Sequence, residues 1–382
     1  MLLDERLLEG RGHAIVLLPE LSFPKRRTAS PFTTLVLLFL SASIIAPTLI
    51  HAQKTAETDR LLTSFSTDWP ELYARLIGIE RAHGVLYGAL IQGRGKVQES
   101  DVYRRMTERV VASAAARASR DIDAEKGYAA LGARGGEIIR RTQAFYREVL
   151  AIFALVDASE RERALGQAVD RYSSKPNVSL PDVPKDMGVL YDHPYTSFVL
   201  DDFNPRRELK YPTLNGFVWA SHWFLLAAHE PLDVSVEKAE RVNGLKVVSD
   251  RFDRKLSNGT PPDAYPTELP LAPSIAPRLV SASERAAAII DNLNIMQDVL
   301  ADVLVHPKVT NLRAATDEVL AQFTDRTYRI VEVDDWITMA LRHSIFEQGG
   351  PALGTMTRSE RNNSGHLQHL RGGRAIPPGG MR

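Results

Sequence analysis

The chain has 382 residues, of which 44% are hydrophobic and 25% charged, as in a globular protein and unlike a disordered or fibrous one. Lys and Arg number 47 and balance 47 Asp and Glu, so no net charge would attract nucleic acid or an anionic membrane. Cysteine is absent, which excludes disulfides, cysteine-ligated zinc, iron–sulfur clusters and cysteine nucleophiles.

A basic cluster followed by a strongly apolar segment predicts export. The cluster at 25–27 precedes the apolar run 35–50, and no charged residue lies between the cluster and Lys54. This order, with the helix breaker Pro47 near the end of the run and a small residue after it, is typical of a secretory signal, which we place at 31–53. The uncharged stretch is also long enough for an uncleaved membrane anchor. Cleavage is favoured, and either interpretation places the following chain outside the cytoplasm. Residues 1–30 are predicted to be a non-structural extension.

From about residue 56 the apolar residues recur at helical spacing. Segment 72–90 places them on one helical face by alternating steps of four and three. These residues are Leu72, Leu76, Ile79, His83, Leu86 and Leu90. Segments 100–118 and 137–157 repeat the pattern, and 159–172 is a shorter, charged amphipathic stretch. Because no strand-like alternation appears in this half, the sequence predicts an all-α, multi-helix bundle.

The middle of the chain combines an irregular segment with a very apolar helix. Prolines interrupt any helix in 173–213, and the aromatic residues there predict an ordered excursion packed on the bundle. Segment 215–230, NGFVWASHWFLLAAHE, is apolar around nearly its whole circumference, which is typical of the central buried helix of a bundle. Pro231 is predicted to end it.

The last third continues the helical pattern up to a low-complexity end. The predicted elements are a charged helix at 235–255, a proline-rich loop at 257–280, a strong helix from Ser283 to Val305 closed by Pro307, and helices at 309–324 and 333–347. After Pro351 the chain is rich in Gly, Ser, Asn and Arg, so 351–382 is predicted to be a disordered basic tail. The helical domain then covers 56–350.

Two pairs of polar residues on these helices are candidate ligands. Glu80 and His83 have the E-x-x-H spacing by which one helix supplies two ligands to carboxylate-bridged metal bundles. His222 and His229 face the same way on the apolar helix, but about 10 Å apart, too far to share one metal directly. Trp219 and Trp223 flank the second pair and are predicted to enclose an apolar site. For both pairs, histidines that are satisfied within the core are the favoured interpretation.

A third set forms a polar row on the 283–305 helix: Asp291, Asn294, Asp298 and Asp302. An ordinary solvated face is the favoured interpretation of such a row. The position of Asp291, directly after the apolar run 286–290, keeps a ligand role open.

Two segments resemble a family of uncharacterised exported helical bacterial proteins. They are YPTLNGFVWASHWFLLAAHEPL at 211–232 and IIDNLNIMQDVLADVLVHPKV at 289–309, and the resemblance extends over about 60–300. Related sequences have histidines where this chain has Asn294 and Gln297, which puts a metal site there in doubt. The resemblance implies an exported helical protein and no particular activity.

Short catalytic motifs are absent from the sequence, which contains no G-x-S-x-G, H-E-x-x-H or G-x-G-x-x-G. The leading hypothesis is an exported, non-enzymatic helical binding or structural protein of the cell envelope. The alternative is a metal- or cofactor-binding bundle, with an oxidoreductase among the options, that uses Glu80, His83, His222, His229 and Asp291. No cofactor or substrate is identified, no nucleic acid is expected as partner, and 31–53 would tether an uncleaved chain to the membrane.

Overall fold

The computed structural model confirms the all-α prediction. The residues that it describes are 56–94, 96–112, 119–195, 211–233, 236–257 and 269–348. Within these ranges there is no strand, and an isolated antiparallel bridge joins Lys185 to Ile330. The predicted signal or anchor at 31–53 and the predicted tail at 351–382 lie outside the described residues. None of the helices in the described ranges is both long and apolar enough to cross a membrane.

The first half of the fold contains seven helices within the described ranges. In chain order they are α1 (56–68), α2 (Pro70–Gly93), α3 (Glu99–Val111), α4 (Ile122–Ala130), α5 (Gly132–Leu155), α6 (Ala158–Ser173) and α7 (Val189–Asp192). The segment predicted to be irregular, 173–213, does contain α7 and one 3₁₀ turn, Pro176–Val178. Helix α4 has no counterpart among the predicted elements.

The second half adds eight helices within the same described ranges. They are α8 (Pro212–Ala227), α9 (His229–Asp233), α10 (Lys238–Ser257), α11 (Ala272–Ile275), α12 (Pro277–Ala282), α13 (Glu284–Val305), α14 (Leu312–Thr324) and α15 (Val333–Gln348). Helix α13 begins where the sequence predicted, because the Ser283 hydroxyl caps the helix by accepting a hydrogen bond from the Ala286 amide at 3.2 Å.

The predicted central helix is buried, but it is two helices and not one. Every residue of α8 from Gly216 to Ala227 is buried, as its apolar circumference predicts. The helix ends at Ala227, and α9 starts at His229 with Pro231 inside it. The prediction that Pro231 ends the helix was therefore wrong. Proline is tolerated there because the first amides of a helix have no partner within that helix.

Helix α13 is a second central helix, and the prediction that its polar row forms a solvated face was wrong. Every residue from Ala286 to Val305 is buried, including Asp291, Asn294, Asp298 and Asp302. The physical reason is that α2, α5, α6, α11, α12 and α14 all pack against α13, so no side of the helix faces water.

Glycines hold α2 close to α4 and thereby fix the helix that carries His83. A Cβ atom added at Gly127 would lie 1.7 Å from the Gly84 carbonyl oxygen, a distance that no side chain can adopt. The two backbones are thus in direct contact, which sets the position of α2 in the bundle.

Candidate functional site

Six polar side chains from three helices lie together in the apolar interior, and we call them the core polar cluster. Helix α2 contributes two, α8 one and α13 three: His83, Tyr87, His222, Asn294, Gln297 and Asp298. Tyr87 follows His83 by four residues, and Asn294 precedes Gln297 and Asp298 by three and four, which are the spacings that place side chains on one helical face and that put Asn294 in the cluster. Each side chain of the cluster is at most 2% exposed.

Two stacked imidazoles form the junction between α2 and α8. The ring centroids of His83 and His222 are 5.4 Å apart, and the ring planes differ by 10°. Nδ1 of His83 lies 3.0 Å from the Ile79 carbonyl oxygen. Because a carbonyl can only accept, Nδ1 carries the proton and Nε2 is left as an acceptor. Burial, and secondarily His222, lowers the pKa of His83 to about 3, so this ring is neutral.

His222 connects the stacked pair to α13. Its Nε2 lies 3.1 Å from Oε1 of Gln297, and its Nδ1 lies 3.5 Å from Oδ2 of Asp298. The second distance suits a charge contact, but it does not make a well-formed hydrogen bond, and both Asp298 oxygens stay unbonded within the described part of the chain. Burial raises the pKa of Asp298, while the neighbouring His222 acts in the opposite direction.

Seven buried polar atoms of this cluster make no well-formed hydrogen bond within the described residues, although Gln297 is a hydrogen-bonding neighbour of Tyr87 and His222 of Asp298 at longer or poorly aligned geometry. They are Nε2 of His83, the Tyr87 hydroxyl, Nδ1 of His222, both amide atoms of Asn294 and both carboxyl oxygens of Asp298. The Tyr87 hydroxyl belongs with the others because Asp298 and Gln297 both act on its pKa, which burial raises well above its ordinary value. Buried polar groups of native proteins normally have partners, so this concentration is unusual.

The beginning of α13 carries buried polar residues of a different kind. The carboxylate of Asp291 accepts hydrogen bonds from the Ala272 amide at 2.9 and 3.0 Å and from the Trp336 indole at 3.1 Å. Burial raises the pKa of Asp291 to about 8, against the effect of these donors.

Asn292, the next residue, is equally well bonded. Its amide nitrogen donates to the carbonyls of Pro181 at 3.0 Å and Val183 at 2.9 Å, and its oxygen accepts from the Lys185 amide at 3.2 Å. Asp291 and Asn292 thus fasten the mostly irregular segment 181–185, the start of α11 and α15 to the core. We call these two residues the anchor pair.

The structure brings together two of the five predicted ligand residues, His83 and His222. Glu80 is ion-paired with Arg147, and burial raises the pKa of Glu80 against the effect of that arginine. Asp291 belongs to the anchor pair. His229 lies apart, and its ring contacts the rings of Tyr146 and Phe153 edge-on, with centroids 5.7 and 5.1 Å away.

His229 is buried apart from the cluster, and its Nε2 makes no hydrogen bond within the described residues. Its Nδ1 donates to the Leu226 carbonyl at 3.1 Å, and burial lowers its pKa to about 4. The two tryptophans predicted to enclose the histidines lie instead against Lys255, whose Nζ is 4.7 Å from the Trp219 ring and 5.3 Å from the Trp223 ring.

No group of three or more His, Cys, Asp or Glu side chains within the described ranges is arranged to hold a metal ion. The geometry of the cluster explains this result. An imidazole binds a metal through a lone pair in the plane of its ring, and the planes of His83 and His222 are stacked and nearly parallel. Their lone pairs therefore do not converge on one point.

Tyr87, Gln297 and the meeting of α2 with α13 are the parts of the cluster that the sequence reasoning missed. Tyr87 lies four residues after His83, so the helical spacing would have placed both on one face.

Comparisons of the chain with protein-family models, with curated proteins and with solved structures gave no match.

Proposed function

We propose that the chain is an exported, non-enzymatic helical binding protein, and that the core polar cluster is where it binds a small polar ligand. The observation that carries the proposal is the set of seven polar atoms inside an otherwise apolar core that make no well-formed hydrogen bond among the described residues. Leaving one buried polar group without a partner costs about 1–3 kcal/mol, and more for a charged group. A ligand that supplies the missing hydrogen bonds would recover this free energy.

A purely structural role for the cluster fits the observations less well. The anchor pair shows that polar residues on this same helix can be fully bonded when they hold the fold together. Residues kept for stability alone would be expected to be bonded in the same way or replaced by apolar ones, whereas binding sites are commonly kept at a cost in stability.

The export part of the proposal is based on the sequence. It is supported by the basic cluster at 25–27, the apolar run at 35–50 and the absence of cysteine. Expression of the full chain with fractionation of the cells, followed by N-terminal sequencing of the recovered protein, tests it. A new N-terminus close to residue 53 is expected, and an uncleaved chain in the cytoplasm would contradict export.

A thermal-shift screen of small polar compounds tests the binding function. At least one compound is expected to raise the melting temperature of the wild-type protein in proportion to the logarithm of its concentration. The variant Asn294→Leu should lose this response. The matched control is Asp250→Asn, which changes the surface groove between α2 and α10 and leaves the cluster intact.

Two outcomes of these experiments would overturn the binding proposal. The first is that no compound stabilises the wild-type protein. The second is a stoichiometric metal found by elemental analysis of protein purified without chelator, because that result would support the metal-binding alternative.

A further inference from the structure

We infer that the ligand of the core polar cluster is a protonated amine, either the ammonium ion or the –NH₃⁺ group of a small primary amine. The inference rests on the proposed function and specifies its ligand class. It is drawn from the charge of the cluster, from the direction of its hydrogen bonds and from the orientation of its rings.

The charge of the cluster favours a cation. Asp298 is the carboxyl group of the cluster, and among the described residues no Lys or Arg pairs with it. His83 is neutral and contributes no positive charge. An anion would be repelled by Asp298 whenever this carboxyl group is ionised, and the repulsion is strong in a medium of low dielectric constant. A protonated amine stabilises the ionised carboxyl group, which a neutral ligand does not do; within the cluster the ionisable neighbour in contact with Asp298 is His222, whose Nδ1 lies 3.5 Å from Oδ2.

The unbonded atoms are mainly acceptors, which suits a ligand rich in N–H donors. His83 offers the lone pair of Nε2, Asp298 offers two oxygens, and Asn294 offers its amide oxygen. An ammonium group has three or four N–H donors on one compact charge. It can therefore satisfy several of these acceptors at once, and the Tyr87 hydroxyl can accept as well.

Ring orientation favours an ammonium group over a metal ion. Metal–ligand bonds of about 2 Å require donor atoms that converge closely. Hydrogen bonds to an ammonium nitrogen are about 2.8 Å long and tolerate a wider range of directions. The stacked rings of His83 and His222 do not meet the first requirement.

Binding of the amine is expected to tighten as pH rises. Burial raises the pKa of Asp298, and the cation binds best to the ionised carboxylate, so any proton that the carboxyl group holds must leave to solvent when the amine binds. The titratable groups that face Asp298 are His222, whose Nδ1 lies 3.5 Å from Oδ2, and Tyr87, whose pKa burial raises. Affinity should therefore rise with pH until the amine itself loses its proton.

Isothermal titration of the full-length protein with ammonium chloride and with methylammonium chloride tests the inference. Titrations at pH 6, 7 and 8 should show saturable binding that tightens by up to about tenfold per pH unit. Repeating them in two buffers that differ in ionisation enthalpy should show that protons are released on binding. Sodium and potassium chloride at equal ionic strength should not bind.

The variant Asp298→Asn should weaken amine binding at least tenfold, and the control Asp250→Asn should leave it unchanged. Circular dichroism checks that the first variant is folded. If it is not, the proton release by the wild-type protein still decides the question, since it needs no variant.

The outcomes separate the inference from the proposed function. If a neutral or anionic compound stabilises the wild-type protein and not Asn294→Leu, the cluster is a binding site but the inference of an amine is wrong. Equal binding of potassium and ammonium would also overturn the inference, because it would point to recognition of charge alone. If neither amines nor any other compound binds, both the inference and the proposed function fail.

Discussion

The anchor pair and the core polar cluster lie within two turns of each other on α13, and they use the same types of residue in opposite ways. Asp291 and Asn292 are bonded to backbone and indole groups, whereas Asn294 and Asp298 are equally buried and lack hydrogen-bond partners among the described residues. Residue type and burial therefore do not distinguish a structural polar residue from a candidate site. What distinguishes the two is whether each buried polar atom makes a hydrogen bond.

The difference follows from what surrounds each half of the helix. The anchor pair faces 181–185, which is mostly irregular, and the first amide of α11, whose backbone groups have no partner within a helix. The cluster faces α2 and α8, whose backbone groups are already bonded inside their own helices. The polar atoms of side chains there can find hydrogen-bond partners only in each other or in a molecule that enters the core.

The largest expected effect is on the anchor pair. Asn292→Leu keeps the approximate volume of the side chain but leaves the carbonyls of Pro181 and Val183 and the amide of Lys185 without a partner in the core. Each unpaired group costs about 1–3 kcal/mol, so the free energy of unfolding should fall by about 4 kcal/mol. Urea denaturation measures this change. A loss below about 1 kcal/mol would show that the anchor pair does not hold the fold.

The second prediction concerns the pH dependence of stability. The pKa of Asp291 is raised to about 8, so its contribution is complete below pH 4 and is lost as pH rises through 8. His83 and His229 act in the opposite sense, because their pKa values are lowered to about 3 and about 4 and their protonation in the unfolded state destabilises the fold below pH 6.5. Between pH 6.5 and 7.5 the carboxyl groups dominate, because Lys185 and Lys255, whose pKa values burial lowers to about 8, oppose them mainly at higher pH.

The free energy of unfolding should therefore fall by about 1 kcal/mol from pH 6.5 to 7.5, since one group contributes about 1.4 kcal/mol per pH unit. Urea denaturation at each pH measures the slope. The variant Asp291→Asn should remove most of this decline in the free energy of unfolding. The variant Asp298→Asn measures how much the second buried carboxyl group contributes to the same decline. A stability that rises over this interval would contradict the assignment.

The third prediction concerns the cluster itself. Asn294→Leu removes two unbonded polar atoms without separating any hydrogen-bonded pair, so the free energy of unfolding should rise by about 1 kcal/mol in the absence of ligand. Asn292→Leu is the matched control on the same helix, with the opposite sign expected. Equal destabilisation of both variants would mean that the Asn294 amide has partners and that the comparison between the two regions does not hold.

The helical fold could be predicted because the spacing of apolar residues alone requires it, as in 72–90, and because Ser283 is a capping residue that starts α13. The burial of the polar row could not be predicted. A helical wheel describes one helix, and a polar face looks the same whether water or further helices cover it.

The candidate site was predictable only in part, for the same reason. The apolar stripe around His83 and the apolar circumference of α8 correctly point both His83 and His222 inward. Their stacking depends on how α2 packs against α8, which no local pattern records. The break at Ala228, which moves His229 away from the pair, depends likewise on the packing of α9.

The smallest expected effect is at His83, whose protonation state should not change between pH 8 and 5. Because burial and His222 lower the pKa of this ring to about 3, its NMR signals should stay constant from pH 8 to 5, while those of histidines in the urea-unfolded protein shift with a midpoint near pH 6.5. The signals of the folded state should also show the proton on Nδ1, which the Ile79 carbonyl accepts. A midpoint above pH 5 would place a positive charge against the His222 ring, and the cluster would then repel the cation that we infer for it.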